Sequence, residues 1–144
     1  MATSLKGPLE TILVVDDDEM VLRTVVAILE RANFKVLSAK NGADAIKLGA
    51  ETDGPIHMLL SDVDMRQISG PDLGQTMKKT RLNLHVMLMS GGSSGNLLVL
   101  NYGWAYIQKP FVAVKLVQMI TDVLRSPDRS QLGGHEFDSR KAKA

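Results

Sequence analysis

Two apolar runs in this chain end in carboxylates. Ile12-Leu13-Val14-Val15 leads into Asp16-Asp17-Asp18, and Met58-Leu59-Leu60-Ser61 leads into Asp62-Val63-Asp64. Short apolar runs without alternation are the signature of strands buried on both faces, which is the condition of a parallel sheet. Two such strands delivering acids at their C-terminal ends describe one acidic pocket at the rim of an open α/β sheet, where such sheets place their ligands. Carboxylates crowded together repel one another and are tolerated when a cation holds them, so the pattern points to Mg²⁺ (or Mn²⁺).

The rest of the chain alternates strand and helix. Glu19–Ala32 carries Leu22, Val25, Val26 and Leu29 at helical spacing, with Asp18 placed to cap it and Asn33 to close it. Lys35–Ala39 reads as a second strand and Asn41–Glu51 as a second helix. Ile56–Ser61 is the third strand, and Gly70-Pro71 opens a third helix with Leu73 and Met77 on one face. Leu84–Met89 is a fourth strand, Leu97–Asn101 a short helix, Trp104–Gln108 a fifth strand, and Phe111–Leu124 a last helix with Val114, Val117, Ile120 and Leu124 inward. Five βα units in series predict an α/β fold: a five-stranded parallel sheet, doubly wound, in a three-layer sandwich. The expected organisation is an N-terminal extension over residues 1–9, one domain over 10–125, and a mobile polar tail over 126–144.

Composition removes other classes. There is no cysteine among the 144 residues, which excludes disulfide frameworks and thiolate metal sites and fits a cytoplasmic protein. No apolar stretch reaches the ~18 residues of a membrane span. The tail from Ser126 holds four Lys/Arg and three Asp/Glu, leaving 13 of each sign in the body, so no basic face for nucleic acid is indicated. The eight methionines read as core filler. His57 and His85 flank strands and read as surface residues.

Four pieces stand in order at predicted strand ends: Asp16-Asp17, Asp62, Ser90, and Lys109-Pro110-Phe111. Over about Glu10 to Leu124 this constellation resembles the receiver domain of two-component response regulators, with a flavodoxin-like fold of the chemotaxis-regulator kind. The resemblance implies that Asp62 is the phosphoacceptor, attacking the phosphorus of a phosphohistidine or a small phosphodonor. It implies that Asp17 and Asp62 bind Mg²⁺ directly, Asp16 through a water, and Asp64 through its backbone carbonyl. Lys109 would neutralise phosphoryl oxygens, with a cis bond to Pro110. Ser90 would donate its hydroxyl and Gly91 its backbone N–H to the phosphoryl group, and Tyr106 would be the aromatic switch. The implied donor is a histidine kinase or phosphotransfer protein, and the output goes to a downstream protein whose identity the chain does not carry.

Departures from the family pattern are informative. Receivers commonly carry Met-Pro after the acceptor, whereas here Met65 is followed by Arg66, which puts a cation near the pocket mouth. Asp64 stands two past the acceptor, where it can orient or repel attacking water. The stretch from Ser90 to Lys109 is short for the family, so its helix must be short or irregular. From Leu82 through Gln108 there is no Asp, Glu, Lys or Arg. The face made by the fourth helix, fifth strand and last helix is therefore expected to be a hydrophobic docking or homodimer surface; its residues could equally pack inward. Two other functions remain open on the sequence. Asp62-Val63-Asp64 resembles the nucleophile motif of haloacid-dehalogenase-type phosphohydrolases, though Met65-Arg66 follows where that family has Gly-Thr. The chain could also be a phosphorylation-independent interaction module.

Overall fold

The computed structural model describes residues 9–92 and 102–126. Its strands are β1 (Thr11–Val15), β2 (Lys35–Ala39), β3 (Met58–Asp62), β4 (His85–Ser90) and β5 (Ala105–Gln108). Its helices are α1 (Glu19–Arg31), α2 (Gly42–Glu51), α3 (Gly70–Lys78) and α4 (Ala113–Arg125). The helix expected over Leu97–Asn101 and nearly all of the polar tail lie outside the described residues. All four strand pairings are parallel, in the order β2-β1-β3-β4-β5. The fold is the doubly wound α/β sandwich that the strand and helix pattern predicts.

Burial explains the apolar runs. Every residue of β1 and β3 is buried, because helices cover both faces of the sheet. On one face Leu22, Val25 and Leu29 of α1 and Leu116 and Ile120 of α4 pack against Ile12, Val14, Leu60 and Met87. On the other, Ala45 of α2 and Leu73 and Met77 of α3 pack against Leu13, Leu59 and Leu88. Alternate residues of each strand thus feed separate cores. Asp18 caps α1, its carboxylate accepting from the Met20 and Val21 N–H groups. Asn41 caps α2, and Ser69 caps α3 ahead of Pro71.

Three expectations need correction. β3 and β4 both end one residue later than expected, at Asp62 and Ser90, because ladder pairing of Asp62 with Met89 and of Ser90 with Gln108 carries the strands on. Val114 does not face inward; it is 76% exposed. α4 begins at Ala113, its buried stripe runs through Leu116 and Ile120, and a residue two before Leu116 lies ~200° round the axis. His57 and His85 are not open surface residues, for both are half-buried. His57 is half-buried with Nδ1 accepting from the Thr11 N–H at 2.9 Å. The Nε2 of His85 is buried without a hydrogen-bond partner among the described residues. None of the described helices is long and apolar enough to cross a membrane.

Candidate functional site

The strand order reverses between β1 and β3, and a doubly wound sheet opens a crevice at such a point. Asp16 and Asp17 follow β1 there, and Asp62 is the last residue of β3. Single carboxylate oxygens of Asp16, Asp17 and Asp62 all lie within 4.8 Å of one another. Lys109 enters from the end of β5, where its backbone N–H donates to the Ser90 carbonyl at 2.7 Å. Its Nζ donates to Asp16 Oδ2 and to Asp62 Oδ1, each at 2.9 Å. The Lys109–Pro110 peptide is cis.

The acids differ in their surroundings. Asp16 is fully buried, and both its oxygens are engaged: Oδ1 accepts from the Asp18 N–H at 2.8 Å and Oδ2 from Lys109. Asp17 is exposed. Asp62 is buried, and its carboxyl is raised above the ordinary Asp value. Burial is the largest cause, and the charges of Asp16 and Asp17 add to it against the opposing pull of Lys109. Burial alone would lower Lys109, but its hydrogen bonds to Asp16 and Asp62, with their charges, hold the ammonium above the ordinary Lys value.

Three carboxylates facing one ammonium leave the pocket short of positive charge. All the donors are hard oxygens, one acid is exposed, and burial with the neighbouring acids raises the Asp62 carboxyl. The residues therefore fit Mg²⁺, which takes few protein carboxylates and keeps its own waters. Asp17 and Asp62 are the residues that would hold the ion, with Asp16 behind them.

The other candidate residues gather at the same end of the sheet. Ser90 is buried at the end of β4; its hydroxyl donates to the Gly92 carbonyl at 3.2 Å and accepts from the Gly92 N–H at 3.3 Å. Gly91 has open space where a side chain would stand. Tyr106 is paired with Leu88 in the ladder and packs with Trp104 on the core under α3. Asp64 and Arg66 are exposed on the β3–α3 connection. Two residues beside Asp62 escaped the sequence reading, Ser61 and Gly70. Ser61 is buried and its Oγ donates to the Asp62 carbonyl at 2.9 Å. Gly70 reads in the sequence only as a helix opener; the Gly-Pro pair was the available signal.

The sequence matches the response regulator receiver domain over residues 12–121. The chain belongs to the receiver domain family. Among curated relatives, the sensor kinase CckA of Brucella abortus is 27% identical over 88% of this chain and 14% of its own length. The transcriptional regulatory protein CpxR of Escherichia coli is 34% identical over 79% of this chain and 49% of its own. This receiver therefore spans half or less of those relatives' length. A solved receiver domain from Clostridium thermocellum is similar at 26% identity and TM-score 0.74, covering 86% of this chain and 98% of that one. The receiver domain of the hybrid histidine kinase CckA is similar at 28% identity and TM-score 0.64, over 80% of this chain and 99% of that one. The family is a signalling domain rather than a conventional enzyme.

Proposed function

We propose that this receiver accepts a phosphoryl group on Asp62 from a histidine kinase or phosphotransfer protein and passes the signal on by a shift between conformations. The observation that carries the reading is Lys109 Nζ bridging Asp16 and Asp62 at 2.9 Å each, beside a third carboxylate. Mg²⁺, when bound, supplies the positive charge that lets an anionic carboxylate meet an anionic donor. A carboxylate oxygen of Asp62 forms the bond to phosphorus as the donor's P–N or P–O bond breaks, and the leaving group carries away the electron pair and takes a proton from solvent. Lys109 then follows the charge from the carboxylate to the phosphoryl oxygens. The Ser90 hydroxyl turns from Gly92 towards the new group, the Gly91 N–H adds a contact, and Tyr106 moves into the space the hydroxyl leaves. The Asp64 carbonyl would offer the ion a further oxygen, and the exposed Arg66 cation would bias donor choice.

The relatives support the donor class, since one is named a sensor kinase and another a transcriptional regulator. The working compartment on this reading is the cytoplasm, and the uncharged face that includes β5 serves a downstream protein or a second copy of the chain. The phosphohydrolase and interaction-module readings are not favoured, because the acids and Lys109 stand together as a receiver requires. The deciding measurement is intact mass after mixing with acetyl phosphate. A one-phosphoryl adduct that needs Mg²⁺ and is lost in Asp62→Asn is expected; no adduct from either acetyl phosphate or a phosphohistidine donor refutes the assignment.

A further inference from the structure

α3 starts in contact with the backbone of Asp62. A Cβ placed on Gly70 would overlap the Asp62 carbonyl oxygen and stand 3.0 Å from the Asp62 carbonyl carbon and 3.1 Å from Val63 Cα. Gly70 is not in the left-handed region, so glycine is needed there for space and not for its dihedral freedom. The obstructing atoms are backbone at the end of a buried strand and cannot rotate aside as a side-chain tip can. Gly49 makes the contrast: its added Cβ would meet only Met77 Cε, the far end of a flexible side chain, at 2.8 Å.

The same residue closes the β3–α3 loop, its N–H donating to the Val63 carbonyl at 2.9 Å. The Asp62 carbonyl also accepts from the buried Ser61 hydroxyl at 2.9 Å, and the Val63 N–H donates to the Met89 carbonyl at 2.9 Å. The Asp62–Val63 peptide is thus held by the β4 ladder, by Ser61 and by the bare Cα of Gly70.

We propose that Gly70, with Ser61, is a positioning residue for Asp62: α3 seats directly on the acceptor's carbonyl and so sets where its carboxylate enters the pocket. A side chain at position 70 must push that peptide or lift α3, and a shift of about 1 Å at a reacting group costs about a hundredfold in rate. The proposal rests on the reading of Asp62 as acceptor beside a metal.

Gly70→Ala, Ser61→Ala and Gly49→Ala are to be compared with the unaltered chain by Mg²⁺ titration, adduct formation with acetyl phosphate, and hydrogen exchange at the Val63 amide. Gly70→Ala is expected to weaken Mg²⁺ binding and slow adduct formation by about tenfold or more, and to speed Val63 exchange. Ser61→Ala, which adds no atom, should weaken Mg²⁺ binding about threefold. Gly49→Ala should leave all three readings unchanged. A folded Gly70→Ala with the unaltered chain's Mg²⁺ affinity and Val63 exchange overturns the proposal. Should Gly70→Ala fail to fold, Ser61→Ala decides by the same two readings. If the unaltered chain takes up neither Mg²⁺ nor phosphoryl, it is the acceptor reading that falls, and Val63 exchange in Gly70→Ala alone decides the positioning claim.

Discussion

Asp62→Asn should make the metal-free protein more stable. The Asp62 carboxylate lies 2.9 Å from the Lys109 ammonium and within 4.8 Å of oxygens of Asp16 and Asp17. At an effective dielectric constant of about 20, the attraction is about 6 kcal/mol and each repulsion about 3.5 kcal/mol. Attraction and repulsion thus come close to cancelling, and burial of the charge, the largest cause of the raised carboxyl, tips the balance against the ionised form. Asparagine removes the charge at nearly constant volume, and Lys109 keeps its bond to Asp16, so no ion is left unpaired. The expected gain in chelator is about 1 kcal/mol, or about 4 °C in Tm for a domain of this size. The assay is urea unfolding followed by the fluorescence of Trp104, the single tryptophan. With Mg²⁺ at ten times its Kd, the unaltered protein gains about 1.4 kcal/mol that the variant largely forgoes, so the order of stability closes or inverts. A variant about 1 kcal/mol less stable in chelator would refute the reasoning, since Lys109 would then outweigh the crowding. The pH dependence has a definite sign. A raised carboxyl makes the folded state bind more protons than the unfolded one, so metal-free stability falls as pH climbs through the window above 3.8. Asp62→Asn flattens that slope. At alkaline pH the contribution of Lys109 is present below 10.5 and is lost as pH rises through its raised value.

Three further outcomes test the scaffold. The Arg81 guanidinium donates to the carbonyls of Gly49 and Thr52 at 2.9 Å and of Gly54 at 3.0 Å, closing the end of α2, which has no basic residue in its last turn. Arg81→Ala should lower stability by about 2 kcal/mol in urea unfolding without altering Mg²⁺ affinity; an unchanged midpoint contradicts this. His57→Leu leaves the buried Thr11 N–H without its acceptor and should cost about 1–3 kcal/mol, checked by urea unfolding and by faster exchange at Thr11. Gln67 has φ 68° within a turn in which the Ile68 N–H donates to the Arg66 carbonyl at 2.8 Å. Gln67→Gly should raise Tm through a gain of about 0.5–1 kcal/mol, and a lower Tm would show that this backbone is not strained.

The layout was legible because a parallel sheet buried on both faces leaves a plain trace: continuous apolar runs such as Met58–Leu60 and Val86–Met89, separated by helical periods. The acids and Lys109 were legible because polar groups after such runs have few places to go but the rim. What escaped was tertiary in origin. The ends of β3 and β4 are set by ladder partners on neighbouring strands, which local composition does not carry. Val114 misleads because two three-residue steps back from Ile120 drift about 120° round the axis, away from the stripe that Leu116 and Ile120 define. Nothing local to His57 announces that its Nδ1 meets the Thr11 amide, a partner 46 residues away. In sequence Gly70 is a helix opener and no more, since its contact with the Asp62 carbonyl exists only once α3 has docked.

Arg81 and the His57–Thr11 joint lie at the N-terminal ends of the strands, while Asp16, Asp17, Asp62, Ser90 and Lys109 lie at the opposite rim. Part of what holds this small molecule together thus sits at the pole away from the acidic pocket. A lineage or an engineer can retune thermal tolerance at one pole by ordinary substitution while the other keeps its chemistry. Sensors built on this chain could be hardened for unfavourable temperatures without first relearning how to respond.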